Sequence, residues 1–536
     1  MTRNKQKSIM GGSGQHAIST SAAAIFHLRA ISGLVIWSLF LAACQPIPTL
    51  GDPVHPWLSW FPVTPPPAST ATPVQSQTTS PTSQMAVSTA TGLKSTPVPT
   101  QVRLTTVRPV DLKGATVTLL HPWSGDVAVG LQALVDEFNR KNEWGIQVNV
   151  TLAGSQSEVA AWMGDALSGP QPTSTTPGLS VAQKSLPDVV AAGPVDAQTW
   201  QAADPVLESI QDYAGDPTWG LTSKDLTDLQ TSQWPGAAGG SAISAAPALR
   251  SLIFFYYNQT WAKSLGFFQP PSTPEEFRQQ ACKAAKANQY DPDPQRRGTG
   301  GWLVTADPIS MLGWFQAFGG QIGPDSDGRY TFNTPAIKQA FTFLKGLENQ
   351  NCAWIGRAAT PYDYFVSREA LFYLGALNDL PEQRDAMHKV SHPDQWTVFP
   401  YPVVEGKPLV VADDINFYLV KSSPARQMAA WLFIRWMESG EQQVRWMQLS
   451  NTIPLGQSVQ AILGGFLSEN PQWATAFDLL PLARPQPARA SWALVSGVLG
   501  DGAQQILQPG TSLEDIPTIL AQIDQTAAEL MIRTAP

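Results

Sequence analysis

The chain has 536 residues, 43% of them hydrophobic and 14% charged, with a formal net charge of -8. That length exceeds what one hydrophobic core supports, so at least two lobes are expected, and the apolar content excludes a chain that is disordered throughout. The acidic balance, with no basic stripe and no nucleic-acid fold signature, argues against a nucleic-acid partner.

Arg3, Lys5, Lys7 and Arg29 precede an apolar run at 31–41, which leads into Leu41-Ala42-Ala43-Cys44. A basic region, a short apolar region and small residues at a cleavage site describe a secretory signal over residues 1–43. The run is about half the length that spans a bilayer. Leu-Ala-Ala-Cys also resembles the bacterial lipobox, which makes Cys44 the expected lipidated N-terminus and the anchor to the cell membrane. The alternative is an ordinary signal peptide with an incidental cysteine. Residues 44–112 read as a disordered tether, because 62–101 is dominated by Pro, Thr, Ser and Ala. Such a composition buries too little apolar surface to offset its ordering entropy, and its prolines favour an extended, semi-stiff spacer.

After Lys113-Gly114 the pattern becomes globular. A β-rich run at 115–120 is broken by His121-Pro122-Trp123-Ser124-Gly125, and Leu131, Leu134, Val135 and Phe138 then recur at helical spacing. Further strands are predicted at 145–150 and 187–192, separated by a Pro/Thr/Ser-rich surface insertion at 169–184. Strands alternating with helices imply a parallel α/β sheet. Ligands of such sheets bind at the carboxyl ends of the strands, here the loops at 121–125 and 193–196. Further on, 252–257 is a continuous β-prone run, as a strand buried on both faces requires. Thr273 is the predicted N-cap of a helix, with Pro274 at its first position and Glu275 and Glu276 in its first turn. Asp327-Gly328 signals a hairpin turn; the acids at 325–327 lack the ligand spacing of a calcium loop.

The order of several segments resembles the family 1 extracellular solute-binding proteins, the group containing maltose-binding protein. They are Tyr256-Tyr257-Asn258 followed by Pro270-Pro271-Ser272-Thr273-Pro274-Glu275-Glu276-Phe277, then Gly319-Gly320 with Asp327-Gly328-Arg329-Tyr330-Thr331-Phe332-Asn333. The stretch 364–372 is similar to another family strand, although Arg368 stands where glycine is usual, and 425–437 with Ile453-Pro454 resembles a late segment. The resemblance runs from about Gly114 to the C-terminus. It implies a two-lobed periplasmic-binding-protein-like fold of type II, with two α/β lobes joined by hinge strands. Crossings are expected near 246–251, 407–416 and 450–455. The N-lobe would comprise 113–247 and 405–451, and the C-lobe 248–404 and 452–536. The implied function is an extracytoplasmic binding protein that delivers a small solute to an ABC transporter permease, the solute being a carbohydrate first and a glycerol phosphate ester second.

A sugar presents apolar C–H faces and a rim of hydroxyls, so its cleft pairs aromatic platforms with fixed polar partners. The expected ligand-binding residues are Trp123 in the first strand-to-helix loop, Asp196 after the third strand, Trp302 and Trp314 before Gly319-Gly320, Asp414 and Asn416 after the return strand, and Trp492 near a late helix start. Each has a structural alternative, core packing for the tryptophans and turn formation for Asp414 and Asn416. Leu377 and Asn378 stand where the family often has an aromatic, which weakens the case for an oligosaccharide-specific site.

No Gly-rich phosphate loop, HExxH or GxSxG motif is present. His388 and His392 form an i, i+4 pair without an evident third ligand, so neither a metal site nor a cofactor is expected. The second function class is a secreted glycosidase or lyase on a lipid-anchored stalk; an adhesion module is a third. With Cys44 acylated, Cys282 and Cys352 are the two remaining thiols of a secreted protein. In the family-like layout both fall in the C-lobe, and a disulfide between them is expected; the alternative is two separate buried thiols.

Overall fold

Packing against the core is already present ahead of residue 113. Val107 is buried, and the 3-10 turn Pro109–Leu112 seats Leu112 in the same apolar cluster as Phe138 and Trp431. These two buried side chains lie on the tether side of the expected boundary at 112. The computed structural model describes residues 107–168, 184–231, 244–294, 296–323, 329–358, 360–453, 459 and 463–534. The signal segment, Cys44, most of the tether, the insertion at 169–183, the turn at 324–328 and Pro454 lie outside the described residues.

β1 (Thr116–His121), β2 (Gln147–Leu152) and β3 (Val189–Ala192) form within two residues of the expected runs, and they pair in parallel, with β1 in the middle. Between β1 and β2, α1 (Gly125–Lys141) buries Leu131, Leu134, Val135 and Phe138, the four positions whose spacing predicts one helix face. α2 (Pro194–Ala203) starts directly after β3, with Asp196 in its first turn. β4 (Leu207–Glu208) is a short edge piece. β5 (Ala246–Asn258) then runs for 13 residues, all buried except Ile253.

α3 (Pro274–Gln289) opens on the predicted cap: Thr273 Oγ1 accepts from the Glu276 N–H at 3.2 Å, and the Glu276 carboxylate accepts from the Thr273 N–H at 3.2 Å. β6 (Trp302–Leu303), α4 (Pro308–Ala317), α5 (Pro335–Asn349), β7 (Ala353–Trp354), β8 (Phe372–Ala376) and β9 (Trp396–Phe399) follow. Arg368, in the turn before β8, has φ 60°, which explains the glycine usual at this position. Here the left-handed conformation is held by a two-pronged pair from Arg368 Nε and Nη2 to Asp394, at 2.7 and 2.6 Å.

β10 (Val410–Val420), α6 (Pro424–Met437), α7 (Gly440–Ser450), β11 (Ala483–Arg484) and α8 (Ala490–Leu507) complete the elements needed below. The strands form one sheet in the order β2-β1-β3-β10-β5-β8-β6-β7, with β4 and β11 on β10 and β9 on β5. β5 and β10 are antiparallel to each other and long enough to serve both halves of it. β10 pairs with β3 through Asn416–Leu419, while the far end of β5 pairs with β8 and β9. Adjacent residues along these strands enter different cores, as the two-residue period requires. Phe417 and Tyr418 go to opposite faces at the β1–β3 end, and Phe254 and Phe255 do so at the β8 end. The result is two α/β lobes sharing two hinge strands. The chain passes between them again at Ile453, whose N–H donates to Arg250 O at 3.0 Å.

Candidate functional site

β10 is buried at both ends but not in its middle. Asp413, Asp414, Ile415 and Asn416 keep partial exposure between Val410–Ala412 and Phe417–Val420. A buried strand interrupted by reachable polar groups provides a cleft floor: fixed hydrogen-bonding partners with a rigid sheet behind them. Directly across on β5, Arg250 faces Asp414 and Ser251 faces Asp413. Arg250 Nε lies 3.6 Å from Asp414 Oδ1, with both side chains about nine-tenths buried. Burial pulls the Arg250 guanidinium down from its usual range and Asp414 opposes that pull. A register shift between Ile415 and Asn416 re-aims the strand at this point, and Asn416 Nδ2 donates to Tyr418 Oη at 3.2 Å.

Asp196 comes to the same place from α2. A Cβ on Gly193 would lie 3.7 Å from Asp196 Oδ2 and 4.0 Å from the Asp414 carbonyl oxygen, so the loop after β3 and the hinge strand converge on one glycine. Across the hinge, Ser251 Oγ donates to Asn378 Oδ1 at 3.0 Å, and Asn451 Nδ2 donates to Leu377 O at 2.8 Å. Leu377 and Asn378, where the family often has an aromatic, thus supply polar contacts at the hinge, and Asn451 to Leu377 joins the two lobes. α8 lies along α2, with Thr199 Oγ1 3.4 Å from Ala490 O.

Burial raises Asp196 to about 6. It does the same for Asp413, reinforced by Asp414, Asp307 and Asp379. A folded chain that holds a proton to pH about 6 binds more protons than an unfolded one that releases it near pH 4. Stability should therefore fall as pH rises through that window and level off above it. Asp413→Asn removes this dependence at one residue. Its stability advantage over wild type, measured by urea unfolding, should grow from pH about 4 to about 6 and then stay constant. An advantage independent of pH would show that Asp413 titrates like a free aspartate.

The tryptophans are placed differently from the expectation. Trp302 and Trp314 are fully buried in the C-lobe core, packed with Phe277 and with each other at 5.6 Å. They are core residues and not platforms, since no ring face is left for a solute. Trp492 is 2% exposed and packs on Tyr330 at 5.7 Å. Trp123 is 8% exposed; His121 stacks on it at 5.6 Å, and Phe417 and Trp446 meet it edge to face. Trp123 Nε1 and His121 Nδ1 are both buried without a hydrogen-bond partner among the described residues. Burial pushes His121 down to about 4, so the ring is neutral at pH 7. The structure thus brings together Asp196, Asp414 and Asn416 from the sequence reading and adds Arg250, Ser251, Asp413 and Asn378. The available signal for Asp413 was the Asp-Asp-x-Asn stretch inside an otherwise apolar strand; Arg250, Ser251 and Asn378 carry no such local signal. Among the described residues no group of three or more His, Cys, Asp and Glu side chains is arranged to hold a metal ion.

Residues 133–476, more than half of the chain, match the family model for bacterial extracellular solute-binding proteins. No curated protein matches the chain in sequence. Solved structures share the fold. The cyclic α-maltosyl-1,6-maltose binding protein of Arthrobacter globiformis is 17% identical, with 77% of this chain and 99% of that one covered and a TM-score of 0.60. UgpB of Mycobacterium tuberculosis, in complex with glycerophosphocholine, is 19% identical, with 78% and 99% covered and a TM-score of 0.61. The ABC substrate-binding protein Lmo0181 of Listeria monocytogenes, in complex with cycloalternan, is 16% identical, with 78% and 99% covered and a TM-score of 0.61. With two lobes on shared hinge strands and a polar strip at their junction, the chain belongs to the bacterial extracellular solute-binding proteins.

Proposed function

We propose that the protein captures a carbohydrate over the hinge strands and hands it to the permease of an ABC importer. The carrying observation is the partly exposed pair Asp414 and Asn416 on β10, met by Asp196 from the N-lobe. Carboxylates and an amide in fixed positions accept and donate the paired hydrogen bonds that a hydroxyl rim offers. We take the N-lobe as 113–247 with 405–451, preceded by the packed turn at 107–112, and the C-lobe as 248–404 with 452–536; their closure over the solute is the hinge motion a permease can sense. Trp123 and Trp492 are enclosed, at 8% and 2% exposure, so the solute is held mainly by the polar strip. The fold neighbours that carry a maltose-type sugar or a cycloalternan support a carbohydrate, and the one with glycerophosphocholine keeps a glycerol phosphate ester as the competing solute.

Asn416→Ala and Asp196→Asn should each weaken binding of the best sugar by roughly tenfold or more in calorimetry, while the folded state is retained. Unchanged affinity in both would move the site elsewhere. Stoichiometric binding without product is the expected result with oligosaccharides; turnover would support the stalked glycosidase or lyase instead. Lipidation of Cys44 after residues 1–43 are removed fits this role, because a receptor must stay near its permease. Cys44→Ser should release the protein from membranes or block its processing.

A further inference from the structure

A second hollow lies on the N-lobe, away from the cleft. It encloses about 440 Å³, within the range of small-molecule sites. α1 starts at the cleft side of β1 and its last turn lines this hollow, so the 17 residues of the helix put the two about 25 Å apart. The last turns of α1 and α6 meet here with the loop at 142–144 and the residues around Thr222.

Of the tryptophans among the described residues, Trp144, Trp162, Trp354 and Trp436 keep partial exposure and the rest are buried. Trp162, under the Lys184 ammonium at 4.9 Å, and Trp354, met by Tyr364 at 4.9 Å, do not line the hollow. Trp144 and Trp436 both line the hollow. Their backs rest on the core, Trp144 against Trp219 at 6.1 Å and Trp436 against Phe138 at 5.6 Å, which holds both indoles in place. Charged groups lie between them. Arg435 is fixed by its bond from Nη1 to Trp219 O at 3.1 Å and sits 5.9 Å from the Trp144 ring centre. Glu143 and Asp225 also line the hollow, and Asp225 Oδ2 accepts from Thr222 Oγ1 at 2.7 Å. None of Arg435, Glu143 and Asp225 is in an ion pair among the described residues. Behind them Glu438, nine-tenths buried, leaves Oε1 without a hydrogen-bond partner among the described residues.

We propose that this hollow is a second carbohydrate site, in which one sugar ring or a short stretch of glycan lies on Trp144 and Trp436 while Arg435, Glu143 and Asp225 take its hydroxyls. Two accessible indoles with a guanidinium donor and two carboxylate acceptors match a ligand that is apolar on its faces and both donor and acceptor around its edge. A purely anionic ligand would meet Glu143 and Asp225, and a purely cationic one would meet Arg435. The mixed rim selects a neutral polyhydroxylated molecule.

The test is fluorotryptophan NMR on the full chain, with the Trp144 and Trp436 signals assigned by Trp144→Phe and Trp436→Phe and with maltotriose, xylotriose and chitotriose as probes. At least one probe should move both signals saturably. Glu143→Gln, an exposed change that spares the fold, should weaken that response roughly tenfold and leave calorimetric binding in the cleft unchanged. Signals that stay still with all three sugars at millimolar concentration would overturn the proposal, as would an equal response in Glu143→Gln. Loss of cleft binding in Asn416→Ala with the Trp144 response intact separates this site from the one over the hinge strands.

Discussion

Trp314→Ala is expected to cost about 3–5 kcal/mol of stability, the range for truncating a large buried aromatic, and to leave the affinity for solute within about twofold at a temperature where the variant is folded. The ring is fully buried on α4, in edge-to-face contact with Phe255, Phe277 and Tyr401 at 5.6, 5.3 and 5.7 Å. The packing around it leaves little room to relax: a Cβ on the neighbouring Gly313 would run into the Tyr401 ring. A cavity of indole size would therefore stay open. A cleft platform behaves in the opposite way, with affinity lost and stability largely kept. Urea unfolding and calorimetry on the same variant separate the two, and a stable variant with collapsed affinity would return Trp314 to the binding site.

The second large effect is expected from the cysteines. Cys282 on α3 and Cys352, between α5 and β7, have their sulfurs at 1.97 Å and their Cα atoms at 4.4 Å, with a sequence separation of 70. The end of α5 delivers Cys352 to this point: Asn351 takes φ 55°, a conformation asparagine adopts more readily than most residues, and the Cys352 N–H donates back to Leu347 O at 2.8 Å. Closing a loop of that length removes chain entropy from the unfolded state, worth about 4 kcal/mol. The Cys282→Ser, Cys352→Ser double variant should lose that much, and wild type should lose it under reductant. Two free thiols after alkylation of the denatured, unreduced protein would show that no bridge forms in the cell envelope.

Much of the fold was legible because its signals are local. The spacing of Leu131, Leu134, Val135 and Phe138 defines the buried face of α1, since a helix repeats its face within a few residues whatever lies opposite. The Thr273, Pro274 and Glu276 cap works through hydrogen bonds between residues three apart. The continuous apolar run at 252–257 belongs to a strand buried on both faces, and β5 is such a strand. Asp414 and Asn416 stand next to a predicted crossing and fall in the middle of β10.

Side-chain accessibility was not legible, because it is decided by partners far along the chain. In sequence, Trp123 beside Pro122 and Ser124 looks like an exposed loop residue; in the fold it is enclosed by Phe417 and Trp446 from β10 and α7. Trp302 and Trp314 precede Gly319-Gly320, on the expected cleft side of the C-lobe, yet both face its core, because the strand and helix that carry them turn their apolar sides toward Phe277 on α3. Asp413 and Asp414 look alike in sequence, yet the strand period sends the two carboxylates to opposite faces, and only the pairing with Ser251 and Arg250 on β5 shows what each one meets. By itself, then, the sequence determined the strands and helices named above through periodicity and capping within a few residues, while the two lobes with crossing strands followed from the order of segments that resembles the family. Only the tertiary structure decided which rings are covered and which polar groups remain within reach of a solute, because those depend on contacts that local sequence does not encode.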